Sequence, residues 1–161
     1  MPRNRYQDLV GRYLQRDPAV FLHHDIALPL GGAARGNRWV IDLLAVHLKE
    51  QRACLCELEL SRDLGRLIRR LRRWDEHWSE IHAVISATTG IPATWPFEVR
   101  LFLPSHHQGS EQLDRLALQQ MPTPRITWLE AVAPWASASK ATTSAECRPR
   151  VETPQPTPSS R

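Results

Sequence analysis

Two apolar runs decide the fold of this chain: Arg38-Trp39-Val40-Ile41-Asp42-Leu43-Leu44-Ala45-Val46 and Ala53-Cys54-Leu55-Cys56-Glu57-Leu58-Glu59-Leu60. Each run has the composition of a buried β-strand, and the polar segment 49–52 between them predicts a hairpin. Carboxylates nevertheless interrupt both runs. An ionised carboxylate in an apolar strand is costly unless a metal or another cation compensates it. The runs therefore predict a divalent-metal site, with a solvated strand face as the alternative.

The rest of the chain predicts an α/β fold. Apolar spacing predicts helices over residues 4–16, Leu64–Trp78 and Glu111–Gln120. Runs of apolar and β-branched residues predict strands over Ala19–Leu28, Arg38–Leu48, Ala53–Leu60, Ile81–Thr88, Phe97–Leu103 and Ile126–Leu129, the last at a sheet edge. The leading order is helix, three strands, helix, strand. That order predicts a mixed sheet covered by helices.

Length and composition predict a single folded domain over residues 1–135. The chain has 161 residues, of which 42% are hydrophobic, enough to bury a core. The last 26 residues contain 13 Ser, Thr or Pro and one large aliphatic side chain, Val151. Such a segment cannot bury enough surface to offset its ordering entropy, so residues 136–161 are predicted to be a disordered tail.

The lack of a recognisable targeting signal and the spacing of the cysteines predict a cytoplasmic protein. No apolar run reaches 18 residues and no charged-then-apolar leader is present, so we expect no membrane span and no signal peptide. The three cysteines follow no disulfide-framework spacing. Cys54 and Cys56 are predicted to be small buried side chains in a strand, which suits a reducing compartment.

Positive charge is concentrated on one predicted helix. Residues 62–73 contain six arginines and one aspartate, a net charge of +5, whereas the whole chain carries +4. This concentration predicts a local anionic partner, and phosphate contacts with DNA fit it best. The helix could instead present only a solvated face. The candidate nucleic-acid-binding residues are Arg66, Arg69, Arg70, Arg72 and Arg73.

The carboxylates have the spacing of a metal site. Strand geometry places Glu57 and Glu59 on one face, roughly 6.5–7 Å apart at Cα, and Asp42 can reach the same place across the hairpin. A hard cation such as Mg²⁺, or Mn²⁺ in its place, prefers these oxygen ligands and keeps waters for a phosphate and a nucleophile. Asp42, Glu57 and Glu59 are therefore the predicted metal ligands and catalytic residues.

The runs Val40–Val46, Cys56–Ser61 and Leu67–Trp74 together resemble the core of PD-(D/E)xK nucleases, the restriction-endonuclease-like superfamily. The resemblance covers roughly half of the chain and implies a core order αβββαβ over residues 4 to about 88. By this resemblance Asp42 matches the metal-binding Asp and Glu57 the acidic residue of the third strand. Glu59 stands where the family has Lys, although some restriction enzymes of the superfamily carry Glu there and are active. The family often has a further acid on its first helix, and Asp8 and Gln7 are the residues considered for that position.

The resemblance implies a Mg²⁺-dependent endonuclease acting on DNA phosphodiester bonds. Degenerate members without activity are common, so an inactive nucleic-acid-binding or assembly subunit on the same fold is the first alternative. A protein-interaction domain with no nucleic-acid role is the second. The sequence leaves the oligomeric state open between a monomer, a homodimer and a larger assembly.

Overall fold

The computed structural model describes residues 5–28, 39–114, 116 and 118–132. Its helices and strands follow one another along the chain as α1 (Arg5–Leu14), β1 (Val20–Leu28), β2 (Trp39–His47), β3 (Arg52–Leu58), α2 (Gly65–Glu76), α3 (Trp78–Thr89), β4 (Phe97–Leu103), a short 3₁₀ turn (Ser105–His107), α4 (Glu111–Asp114), β5 (Arg125–Trp128) and α5 (Leu129–Val132). The predicted start of the second strand at Arg38 lies outside the described residues.

The five strands form one mixed sheet in the order β1-β2-β3-β4-β5. β1, β2 and β3 are antiparallel neighbours, as two short connections along the chain allow. β4 lies parallel to β3 and β5 lies parallel to β4. A parallel neighbour needs a crossover connection, and α2 and α3 provide it between β3 and β4. The predicted α/β class, with a mixed sheet flanked by helices, is confirmed.

The central strands are apolar because helices cover both faces of the sheet. On the face covered by α2 and α3, called here the α2 face, Leu44 and Leu55 pack with Leu67, Leu71 and Trp74 of α2. All five side chains are buried. A strand buried on both faces cannot alternate apolar and polar residues, which explains the continuous apolar runs of β2 and β3.

On the opposite face, called here the α1 face, α1 and α5 cover β2, β3 and β4. Val10 of α1 and Leu129 of α5 pack there with Phe102 of β4. Cys54 and Cys56 lie in the same cluster as buried free thiols, so the prediction that they act as small core residues is confirmed. Cys147 lies outside the described residues.

The predicted strand Ile81–Thr88 is wrong, because this segment is helix α3. Trp78, Ile81 and Ile85 recur at helical spacing, and Ile81 and Ile85 are fully buried against the α2 face. Gly90 then ends the helix in the left-handed conformation, with φ 75°. The β-branched content of the segment suggested a strand, but the crossover to β4 and the spacing of the apolar residues favour a helix.

The predicted helix Glu111–Gln120 ends early, at Asp114. Asp75, in the last turn of α2, accepts hydrogen bonds from the backbone N–H groups of Gln119, Gln120 and Met121 at 2.7–3.1 Å. An N–H group held by this carboxylate cannot donate along a helix. The chain therefore turns here and leads into β5, which is the predicted edge strand shifted by one residue.

Two other expectations concern the ends of the chain and the membrane. The predicted tail, residues 136–161, lies outside the described residues, as do residues 133–135 at the predicted domain boundary. Among the helices that the structure describes, none has the length and apolar character needed to cross a bilayer.

Leu71→Ala should destabilise the protein by about 2–5 kcal/mol, because it removes a fully buried side chain between α2 and the sheet. Arg72→Ala is the matched control: it alters the next, exposed residue of the same helix and should change the free energy of unfolding by less than about 0.5 kcal/mol. Urea unfolding of both variants measures the difference. Equal stabilities would contradict the packing of α2 on this face.

Candidate functional site

The regular pairing of β1 with β2 is interrupted where two aspartates lie opposite each other. His24 pairs with Leu43 and Ile26 pairs with Ile41, so Asp25 and Asp42 occupy opposed positions. Asp25 has a positive φ of 50°, which is uncommon for a residue with a side chain. Asp25 is exposed and Asp42 is partly buried.

The alternation of side chains is interrupted at the same place. On β1, Leu22 packs on the α1 face, whereas Ile26, four residues later, packs on the α2 face. On β2, Ile41 and Leu43 likewise lie on opposite faces although they are two residues apart. Since side chains two apart normally share a face, both strands rotate at the Asp25–Asp42 level.

Asp42 holds the end of the neighbouring strand. Backbone pairing between β2 and β3 runs from the pair His47 and Arg52 to the pair Leu43 and Cys56. The next position along β2 is Asp42. There the side chain continues the contact, because Asp42 Oδ2 accepts a hydrogen bond from the N–H of Leu58 at 2.9 Å. Burial raises the pKa of Asp42, while this N–H and Arg70 act in the opposite direction.

Glu57 is the buried acid of the site. It points to the α2 face of β3 and its side chain is 1% exposed. Burial and the negative charge of Asp42 raise the pKa of Glu57 to about 8, outweighing the guanidinium of Arg70, which lowers it. Oε2 of Glu57 forms an ion pair with Nη1 of Arg70. Oε1 is buried and has no hydrogen-bond partner among the described residues.

Glu59 lies just beyond the end of β3, at the same end of the sheet. Its N–H donates to the carbonyl of Phe102 at 3.2 Å, which extends the alignment with β4. Its Oε1 accepts a hydrogen bond from the N–H of Ser61 at 2.9 Å. The charge of Glu59 contributes to raising the pKa of Asp42, as does that of Asp25. The negative charges of Asp25 and Glu59 thus act on Asp42, and the negative charge of Asp42 acts on Glu57.

The arginine helix divides into two kinds of side chain. Arg66, Arg69, Arg72 and Arg73 are exposed, and in the described part of the chain none of them pairs with a carboxylate. Arg70 is half-buried and turns to the sheet, where it pairs with Glu57. Position 59 carries Glu and not a cationic Lys. A cation nevertheless reaches the acids, because Arg70 extends to them from α2.

Sequence reasoning missed the position of Asp25 and the pairing of Arg70. Asp25 precedes Ile26 in a strand, and its position opposite Asp42 depends on a register that the sequence does not display. Helical spacing places both Arg70 and Arg72 beside the apolar stripe of their helix, where either could lean over the edge of the sheet, and the sequence does not show which of them reaches Glu57. Asp8, considered as a further acid, lies on α1 beside His24 in a shallow depression on the α1 face. It is therefore separated by the sheet from Glu57.

The described acids do not form a complete ligand set as they stand. Within the ranges that the structure describes, no three His, Cys, Asp or Glu side chains are gathered closely enough to hold a metal ion. The donor chemistry nevertheless suits a hard cation, because the unpartnered Oε1 of Glu57 is a buried carboxylate oxygen and Asp42 is near enough to raise its pKa.

Comparison with known proteins adds no family assignment: no protein-family model matches the chain, and no curated protein matches it significantly.

Glu57→Gln should remove a loss of stability that the wild type suffers at high pH. The pKa of Glu57 is raised from 4.5 to about 8, so between these values the folded protein keeps a proton that the unfolded chain loses. The free energy of unfolding therefore falls as pH rises through this window. Urea unfolding between about pH 5 and pH 9 should show a steeper decline for the wild type than for Glu57→Gln.

Glu76→Gln is the control for this measurement, because Glu76 is an exposed carboxylate at the end of the same helix that carries Arg70. It should keep the wild-type pH dependence. A Glu57→Gln variant that declines as steeply as the wild type would show that Glu57 ionises in the folded state as it does in the unfolded chain.

Proposed function

We propose that this domain is a metal-dependent nuclease that hydrolyses DNA phosphodiester bonds. The observation that carries the proposal is the buried, unpartnered Oε1 of Glu57 at the point where Asp42 replaces the backbone pairing of β2 with β3. A carboxylate oxygen left without a donor in a buried place is expensive, and such groups concentrate at functional sites. A metal ion is the partner that would satisfy it.

The connectivity supports the proposal. The described order α1-β1-β2-β3-α2-α3-β4, with β4 parallel to β3, contains the helix, three strands, helix and strand expected for a restriction-endonuclease-like core. The last strand of that core is then β4 rather than the segment 81–88, and α3 is an additional helix in the crossover. We infer membership of the superfamily from this order together with the positions of Asp42 and Glu57.

Asp42, Glu57 and Glu59 would hold Mg²⁺ or Mn²⁺ at this end of the sheet. A bound ion would supply an activated water and would neutralise charge on the phosphate. Oε1 of Glu57 is free to bind it while Oε2 stays on Arg70. Glu59 would have to release the N–H of Ser61 or use its other oxygen. Arg70 offsets part of the negative charge that Glu59 adds in place of Lys. The exposed arginines of α2 would bind the phosphates of the DNA strand.

An inactive nucleic-acid-binding or assembly subunit is the second candidate. A specific observation favours it: Arg70 already pairs with Glu57, and the N–H of Leu58 already binds Asp42. Both carboxylates therefore have partners within the protein, and a purely structural role would explain these contacts without a metal ion. This candidate keeps the exposed arginine surface and DNA as the partner, and it predicts no metal-dependent cleavage. Whichever candidate applies, the free thiols of Cys54 and Cys56 suit a cytoplasmic location.

Mg²⁺ or Mn²⁺ should raise the melting temperature of the wild type and support cleavage of DNA, because a ligand that binds only the folded state stabilises it. Asp42→Ala and Glu57→Ala should each abolish both effects, whereas Glu76→Gln should keep both. Differential scanning fluorimetry and a cleavage assay on mixed DNA substrates make the two measurements. Cleavage that survives both alanine substitutions would place the catalyst elsewhere, and absence of both effects in the wild type would favour the inactive subunit.

Affinity for DNA should fall as salt rises, since each phosphate neutralised by an arginine contributes about 0.9 to the slope of log affinity against log salt. The double variant Arg66→Gln/Arg73→Gln should lower that slope by about 1–2, with little change in stability because both side chains are exposed. Fluorescence anisotropy on duplex DNA at several salt concentrations measures the slope.

The matched control is Arg5→Gln/Arg12→Gln, which removes two exposed arginines from α1. Its slope should equal that of the wild type. If both double variants lower the slope equally, binding follows net charge and not the α2 surface. If neither does, the arginines of α2 form only a solvated face.

A further inference from the structure

A second polar feature lies at the same end of the sheet as the acids. β3 and β4 are parallel, so the segments that follow Leu58 and Leu103 emerge side by side. Between these segments lies an open cavity of about 570 Å³, lined by Arg62, His106, His107, Gln108, Gly109 and Ser110. None of these residues has a part in the proposed metal site.

The wall formed by the loop after β4 is held in place by hydrogen bonds at its start, at its centre and at its end. At its start, the carboxylate of Glu130 accepts hydrogen bonds from the N–H and the hydroxyl of Ser105 at 2.9–3.0 Å. At its centre His107 is buried, and its Nε2 lies 2.8 Å from the carbonyl oxygen of Ser61. The N–H of Ser110 donates to the carbonyl of His107 at 3.1 Å, which closes the turn.

Ser61 connects this cavity to the acids. Its carbonyl oxygen contacts His107, and its N–H donates to Oε1 of Glu59. One residue thus touches both the wall of the cavity and the last acid of the site. A strand of nucleic acid that placed one phosphodiester at Asp42 and Glu57 would continue along this end of the sheet.

The chemistry of the lining suits an anion. The cavity has no Asp or Glu side chain among its described lining residues. Arg62 and His106 are exposed, and no described carboxylate pairs with Arg62. Two acids beside the lining residues already bind backbone groups: Asp63 accepts the N–H of Gly65 at 2.9 Å, and Glu130 is bound to Ser105. Glu111, which follows Ser110, is not among the lining residues. A guanidinium with imidazole, amide and hydroxyl groups around it is a donor set for phosphate oxygens.

We propose that Arg62 and the loop His106–Ser110 form a phosphate subsite for the nucleotide that flanks the phosphodiester at the acids. The inference rests on the proposed function for the identity of the ligand, since the phosphate belongs to a DNA strand. Binding of a phosphate group as such depends only on the cavity. The two ideas can therefore fail separately.

A titration with inorganic phosphate tests the cavity alone. In a metal-free buffer of constant ionic strength, the backbone amide signals of residues 106–110 should shift and saturate in NMR spectra, with chloride as the reference anion. Arg62→Gln should weaken this binding by about fivefold, the effect of removing one exposed charge contact. His106→Gln, on the other wall, should weaken it as well.

Arg125→Gln is the control, because it removes an exposed arginine that lies outside the cavity lining, at the beginning of β5 and opposite Arg100 in the middle of β4, where it pairs with Glu98. It should bind phosphate as the wild type does. Absence of saturating shifts in the loop would overturn the subsite, and so would equal phosphate affinities for Arg62→Gln and the wild type. Neither result depends on whether the protein cleaves DNA.

End-labelled single-stranded DNA tests the connection to the acids. Arg62→Gln should lower the salt slope of binding by about 0.7, the contribution of one phosphate on a single strand, whereas Arg125→Gln should leave it unchanged. Metal-dependent cleavage with an unaltered Arg62→Gln slope would support the nuclease and overturn the subsite. A lowered slope without any cleavage would support the subsite and favour the inactive DNA-binding subunit.

Discussion

The burial of the Glu57 carboxylate beside Asp42 is the constraint on which the rest of this end of the molecule depends. Two acids that share a low-dielectric region repel each other, and each pays for the loss of water. The protein compensates them with Arg70 and the N–H of Leu58. One carboxylate oxygen of Glu57 is nevertheless left without a described partner. Buried acids that are only partly compensated lower the stability of the fold. Proteins keep such arrangements chiefly at functional sites.

The supporting structure is built around this constraint. Leu67, Leu71 and Trp74 anchor α2 on the sheet, and this packing directs Arg70 toward Glu57 while the other arginines of the helix face solvent. The hydrophobic face of the helix thus determines which cation reaches the acids. Because the anchoring residues are apolar, the packing of α2 on the sheet determines the position of Arg70.

The sequence predicted the parts of this structure that depend on local patterns. The β2–β3 hairpin, its two buried strands and the Arg-rich helix follow from runs of apolar residues and one polar interruption, and they place Asp42 and Glu57 on antiparallel neighbours. Long-range contacts could not be predicted in the same way. Hydrogen bonds from the backbone N–H groups of residues 119–121 to Asp75 shorten a predicted helix. The rotation of strand β1 at Asp25 depends on the pairing of β1 with β2. In the segment 81–88, β-branched composition favours a strand and the spacing of the apolar residues favours a helix, and the structure follows the spacing.

The unusual backbone at Asp25 has a consequence for how molecules of this protein avoid one another. β1 is a nine-residue strand at the edge of the sheet, with Phe21 exposed along it. A long, regular edge strand is a template on which a second chain can add by backbone hydrogen bonding, the first step toward aggregation. A residue at φ 50° in the middle of that strand, carrying a negative charge, breaks the regular row of donors and acceptors. The aspartate that adds charge to the site therefore also shields the edge from unwanted strand addition.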